Sequence, residues 1–340
     1  MSLEISAKYP WLQEVLQSNP SANLASSVLI EGESGLAKSH LASFYAKNIL
    51  CLESLGESCD CRSCIYFEAG THPDYCFLNQ DDCSSALHQF SKKGNDSKPT
   101  VNSKTVKGAR ALSDFMSLTN SVSASRVAVI FDAEAMNLNA QNALLKTLEE
   151  LPENKYVLLV SDKRKNFLPT IYSRSRIISI NNPSSESIND WLSTQGYVEH
   201  RVTNFAPDLS PLAIVQIIES GNSDQYKNLT ALFNQLCEGR LDVIDASKTL
   251  KALEMSYPQK IYSLISFTKS LLGTSVGYFK SHPLISISGE GAVNEILASE
   301  LVAELLDYQA SLVTTPSLNE QIGLSYFLYK LKDLILLPAK

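Results

Sequence analysis

Four cysteines crowd one short stretch, Cys51, Cys59, Cys61 and Cys64 in CLESLGESCDCRSC. Four thiolates this close can complete a tetrahedral zinc site and staple a loop that has no core of its own. A site with four protein ligands leaves no open coordination position, so its chemistry would be structural. The competing reading is a set of free thiols in a loop beside a helix. A catalytic dithiol is less suited to the surroundings, which are not thioredoxin-like.

A second stretch, Gly32 to Ser39 (GESGLAKS), approaches the phosphate-binding loop pattern of Gly, four residues, Gly, Lys and Ser or Thr. Gly32, Gly35, Lys38 and Ser39 stand, but Ala37 replaces the second pattern glycine. The chemistry wants backbone N–H groups around phosphate, a lysine on the β and γ oxygens and a hydroxyl on Mg²⁺. A methyl group at 37 restricts the loop at its tightest point. Binding of ATP with Mg²⁺ and a turn that holds no nucleotide are both open readings. The third candidate is Asp132, which closes the apolar run Val127 to Phe131. A carboxylate at the C-terminal lip of a parallel strand sits where α/β sheets bind ligands.

These residues need a sheet to position them. Apolar runs at Ser27–Glu31, from about Tyr75, at Val127–Phe131, Tyr156–Ser161 and Ile177–Ile180 predict strands. Helical patterns fall between them: a helix to about Leu50 after the glycine turn, Val106–Leu118, a helix carrying Ala140, Ala143, Leu144, Leu148 and Leu151, and Phe167–Tyr172. Strands alternating with helices imply a parallel α/β sheet. Tyr9–Gln17 predicts a short helix ahead of the first strand. His72 is expected to cap the turn before Pro73 rather than to bind metal. Residues 79–104, rich in Ser, Asp, Asn and Lys, predict a mobile surface insertion. Two short helices near Ser185–Thr194 and Pro211–Glu219 follow a linker, and from Ser223 onward the pattern is entirely helical. The expected domains are therefore 1–180, carrying the cysteine insertion at 51–64 and the loop at 79–104, then a small helical domain at 181–222 and a helical bundle at 223–340.

Composition removes several function classes. Apolar content is 44%, charged content 19% and the net charge −7. An acidic chain is unsuited to stand-alone nucleic-acid binding, which needs a basic face. No aromatic and basic interleaving surrounds the cysteines, which disfavours an independent zinc-dependent nucleic-acid module. No apolar run approaches the roughly 18 residues of a membrane span, and the N-terminus does not resemble a signal peptide. A cytoplasmic protein without membrane contact is expected.

Taken together, Tyr9-Pro10-Trp11, the cysteine cluster after the glycine turn, Ala69 to Asp74 (AGTHPD), Asn142 to Glu150 (NALLKTLEE) and Ser173-Arg174-Ser175 resemble a known family. It is the delta-prime family of the bacterial DNA polymerase III clamp loader, within the AAA+ superfamily. The motif resemblance spans residues 1 to about 220, and the C-terminal bundle resembles the family by architecture only. It implies an AAA+ P-loop-type parallel-sheet domain, a small helical lid domain and an all-α collar.

The resemblance also implies a role and partners. Delta-prime is the rigid member, or stator, of a hetero-pentameric ring with delta and gamma/tau subunits, which places the sliding clamp on primer–template DNA. Arg174 would be an arginine finger acting in trans on ATP held by a neighbour; Ser175 stands where the family has Cys. The cysteines would hold structural Zn²⁺, although the first two spacers are each one residue shorter than the family's. No intrinsic catalysis is implied, only membership of a DNA-directed DNA polymerase holoenzyme, a nucleotidyltransferase as a complex. An active motor carries Asp–Glu at the end of the central strand, whereas Asp132 is followed by Ala133. Glu134, one residue late, is expected to point to the opposite face of an extended strand end. A sensor arginine expected after Ser210-Pro211 falls at Leu212. The rival reading is an active AAA+ motor ATPase of the gamma/tau or branch-migration type.

Overall fold

Among the described residues the apolar runs become five parallel strands: β1 (Ser27–Gly32), β2 (Tyr75–Leu78), β3 (Arg126–Ile130), β4 (Lys155–Ser161) and β5 (Arg176–Ile180). The computed structural model describes residues 3–53, 59–78, 106–162, 167–205, 209–275, 292–314 and 319–336. The predicted insertion at 79–104 lies outside them. The sheet order is β2-β3-β4-β1-β5, with Val28 of β1 opposite Leu158 of β4 and Arg176 of β5. Every residue of β3 is buried, as expected of a strand covered on both faces. The edge strand β5 keeps only Ile178 and Ile180 inside.

Helices cover the sheet in the order α1 (Leu3–Lys8), α2 (Gln13–Ser18), α3 (Lys38–Leu50), α4 (Arg62–Glu68), α5 (Val106–Ser117), α6 (Leu138–Glu149) and α7 (Pro169–Arg174). Leu112, Phe115 and Met116 of α5 and Ala140, Leu144 and Leu148 of α6 pack against Ala128, Ile130, Val157 and Leu159. Each fully buried leucine of this kind contributes about 1.5–3 kcal/mol. The α3 helix, which starts at the glycine turn, packs on β3 and β4 through its own buried face, including Leu41 and Tyr45. The chemistry-bearing turns therefore hang on a rigid sheet.

Local chemistry moves several boundaries. The single helix predicted over Tyr9–Gln17 divides into a 3-10 turn at Pro10–Leu12 and α2. The helix predicted over Phe167–Tyr172 starts instead at Pro169, because the residue before proline is held extended and Pro suits the first helical position. Arg174 is consequently the last residue of α7. At the start of α6, the Asn137 side chain accepts a hydrogen bond from the Ala140 N–H at 2.9 Å.

The chain forms two units, residues 1–187 and 188–340. In the second, Ile188, Trp191 and Leu192 of α8 (Ser185–Thr194) are buried, followed by α9 (Pro211–Glu219), α10 (Ser223–Cys237), α11 (Val243–Ala252), α12 (Tyr257–Ser275), α13 (Glu295–Thr314) and α14 (Glu320–Lys332). Phe233, Leu264, Leu305 and Phe327 stand for its core, which joins α10 to α14. A two-residue antiparallel pair, Ala292–Val293 with Ile335–Leu336, completes it.

Candidate functional site

The turn after β1 holds two left-handed residues, one of them against its own preference. Gly35 has φ +78° and Ala37 φ +63°, both left-handed. For alanine that conformation costs roughly 1–2 kcal/mol, which glycine would not incur. Gly32 has a different reason to be glycine. A β-carbon there would lie 2.7 Å from the Ile180 carbonyl oxygen, because β5 runs close beside the end of β1. The indole N–H of Trp11 donates to the Leu36 carbonyl at 3.0 Å, pinning the turn from the N-terminal segment.

Lys38 is buried, and its ammonium is already engaged. It donates to the Glu33 carbonyl oxygen within the turn and lies 2.6 Å from the Asp162 carboxylate, just beyond β4. Ser39, at the start of α3, is exposed. Asp132, after the end of β3, is half-buried with φ +47° and caps a 3-10 turn over Ala133–Ala135. That turn changes the expectation for Glu134. The strand end is not extended there, and the Glu134 carboxylate accepts from the Asp162 N–H at 3.3 Å. Glu134 thus reaches the same lip as the Lys38 partner instead of turning away from it.

Arg174 is about one-third exposed at the C-terminal end of α7. Its guanidinium pairs with Glu149 of α6 at 2.7 Å and donates to the Thr170 carbonyl at 3.2 Å. The planar head is therefore aimed by two helices while part of it faces solvent. The Ser175 hydroxyl beside it meets that of Ser27 at 2.8 Å.

The four cysteines come together. The sulfurs of Cys51, Cys59, Cys61 and Cys64 all lie within 4.8 Å of one another. A tetrahedral zinc with bonds of about 2.3 Å needs sulfurs roughly 3.8 Å apart, a small contraction. The group is able to hold a metal ion. The short Cys59-Asp60-Cys61 spacer is accommodated by a local turn, in which the Cys61 N–H donates to the Cys59 sulfur at 3.4 Å. Helix α4, which the sequence did not announce, has Cys61 as its N-cap and carries Cys64 in its first turn. Burial opposes ionisation of Cys61, but N–H donors from Cys64 and Leu52 outweigh it and bring the thiol down to about 6. Burial pushes the Cys64 thiol upward, and the neighbouring thiols add to that.

Behind the cysteines lies a buried polar cluster that the sequence did not reveal. The Nδ1 of His72 accepts the Asp74 N–H at 3.0 Å, so the histidine caps its turn as expected. Its Nε2 meets the hydroxyls of Ser63 and Ser123 at 2.8 and 3.2 Å, and both serines donate to the Leu50 carbonyl. Burial lowers the His72 pKa, Arg126 adds to this and Asp74 opposes it. The Asp74 carboxylate accepts from the N–H groups of Ser121, Val122 and Ser123 and pairs with Arg126 at 2.9 Å, both residues being fully buried. Phe115 covers the Arg126 guanidinium at 4.5 Å. This cluster anchors the cysteine loop to the sheet.

A five-stranded parallel sheet in this order, with a glycine-containing turn after its β1 strand, defines an α/β fold, here followed by a mainly helical region. A family model described as DNA polymerase III, delta subunit, matches residues 8–184. The delta-prime subunit of DNA polymerase III from Haemophilus influenzae is 30% identical over 239 residues, covering 67% of each chain. That from Pseudomonas aeruginosa is 32% identical over 187 residues, 54% of this chain and 52% of the relative. A solved DNA polymerase III gamma subunit-related protein from Thermotoga maritima aligns over 95% of this chain and 99% of its own at 13% identity, with a TM-score of 0.42. The chain belongs to the DNA polymerase III delta-subunit family, and the relatives it matches are delta-prime subunits.

Proposed function

We propose that this chain is the stator-type delta-prime subunit of a DNA polymerase III clamp loader, which does not hydrolyse ATP and presents Arg174 to nucleotide held by a neighbouring subunit. The observation that carries the reading is the geometry of Arg174, about one-third exposed at a helix end and aimed by Glu149 and Thr170. A guanidinium fixed in this way can stabilise charge on a transferred phosphoryl group without reorganising. The absence of a carboxylate at Ala133 and the pairing of Lys38 inside the chain support a subunit that assists hydrolysis rather than performing it.

The remaining parts follow from the same reading. Cys51, Cys59, Cys61 and Cys64 hold a structural Zn²⁺; Gly32, Gly35, Lys38, Ser39 and Asp132 line a degenerate nucleotide site. Residues 181–222 act as a lid and 223–340 as the collar of a hetero-pentameric ring with delta and gamma/tau subunits. Ile322, Tyr326 and Tyr329 form an exposed face on α14 that suits such a subunit contact. Through the complex the chain would meet the sliding clamp and primer–template DNA in the cytoplasm. No described helix is long and apolar enough to cross a membrane.

Arg174→Ala in the reconstituted loader tests the finger role. Subunit assembly should persist while ATPase activity falls by about 10²-fold, the typical loss of one charge-stabilising group. Unchanged ATPase in a fully assembled complex would overturn it. A motor ATPase is the second reading, favoured by the retained left-handed turn at Ala37 and by the approach of Glu134 to the lip.

A further inference from the structure

Lys38 is the most enclosed charge of the phosphate-type turn, with only 4% of its side chain exposed. A buried ammonium requires a compensating anion. In a loaded phosphate loop the lysine finds that anion on the β and γ phosphates. Here Asp162 supplies it from within the chain, at 2.6 Å. The carboxylate comes from the residue directly after β4, the strand paired with β1, and its backbone is tied to Glu134 by the Asp162 N–H. Two connections of the sheet therefore converge to place a carboxylate beside the lysine that phosphate would seek.

We propose that Asp162 is the residue that sets nucleotide affinity, an internal anion that occupies the phosphate-binding lysine and closes the cradle. Phosphate arriving at Lys38 must displace the carboxylate and then bear its repulsion, because like charges placed together in a binding site oppose association. The turn itself is not the obstacle. Gly35 and Ala37 hold the left-handed conformations that a cradle of N–H groups requires. Replacing Asp162 with a neutral side chain leaves an uncompensated lysine at the start of a thirteen-residue helix, which is a site for anions.

The inference stands apart from the stator reading, since it concerns binding and not turnover. The test measures Mg·ATP and inorganic phosphate binding by calorimetry and by thermal shift, on the full chain and on Asp162→Asn. Affinity for Mg·ATP should rise at least about tenfold, and phosphate should raise the melting temperature of the variant more than that of the parent. Adding Lys38→Met to the variant should abolish the gain. Asp162 is 36% exposed, so its replacement removes no core packing. If Asp162→Asn nevertheless fails to fold, Asp162→Ser, which keeps a hydroxyl for the lysine, is measured in the same way. Equal affinities in parent and folded variant overturn the proposal, as does a gain that survives Lys38→Met. ATP turnover by the parent would sink the stator reading alone, leaving Asp162 to be judged by the binding ratio.

Discussion

The phosphate-type turn and the cysteine loop are neighbours in sequence, joined by α3, and they solve one problem in opposite ways. Each is a stretch of polar backbone with little apolar core of its own. The turn is closed by groups of this chain: Trp11 holds the Leu36 carbonyl, and Asp162 with the Glu33 carbonyl holds Lys38. The cysteine loop gathers four sulfurs that are able to hold a metal ion, and under the proposed function a structural Zn²⁺ would bind them together. One connection pairs its cation within the chain, and the other is proposed to take up a metal ion. Stability should therefore depend strongly on metal at the loop and little on nucleotide at the turn.

The sharpest way to break this contrast is to remove the proposed ion. Chelation, or Cys64→Ser, should lower the unfolding free energy of the α/β unit by several kcal/mol, on the order of half of a typical domain's stability. Denaturant melts with and without added Zn²⁺ measure it. Equal melts would mean that the thiols are merely close and that the loop resembles the turn after all.

A smaller effect should come from the cluster behind the loop. His72 has its pKa lowered in the folded chain, chiefly by burial, against about 6.5 when unfolded. Because the unfolded chain binds the proton more readily, stability is complete above that unfolded value and is lost as pH falls through it. The slope reaches at most about 1.4 kcal/mol per pH unit. His72→Gln should flatten the profile between pH 7 and 5 relative to the parent, read as the difference between the two sets of melts. A variant that follows the parent throughout would detach His72 from the anchoring role.

The smallest effect is on the other side of the comparison. Ala37→Gly relieves a left-handed alanine, so the turn should be stabilised by up to about 1 kcal/mol after the greater chain entropy of glycine is subtracted. Chemical denaturation decides. A loss of stability would mean that the alanine methyl makes contacts worth more than its strain.

What the sequence could announce follows from range. The strands were legible because buried parallel strands need uninterrupted apolar runs, and the cysteine cluster because its four members lie close along the chain. The Lys38 to Asp162 pair was not, since the partners lie on different connections and only the sheet order brings them together. The same holds for Ser63, His72 and Ser123, three ordinary polar residues that acquire meaning only when Asp74 and Arg126 fold the segment before β3 over them. Helix α4 escaped notice because its seven residues carry no clear apolar period. Glu134 was misplaced by assuming an extended strand end, where Asp132 takes a left-handed conformation and turns the chain. The one recoverable signal was Asn137, three residues before Ala140, a cap preceding a periodic run.

The central claim, that this chain supports hydrolysis elsewhere and performs none, is tested most directly by ATP turnover on the isolated protein with Mg²⁺. The account predicts no turnover above that of a Lys38→Ala control, with or without weak binding. Steady turnover that Lys38→Ala abolishes would contradict it and make this chain a motor.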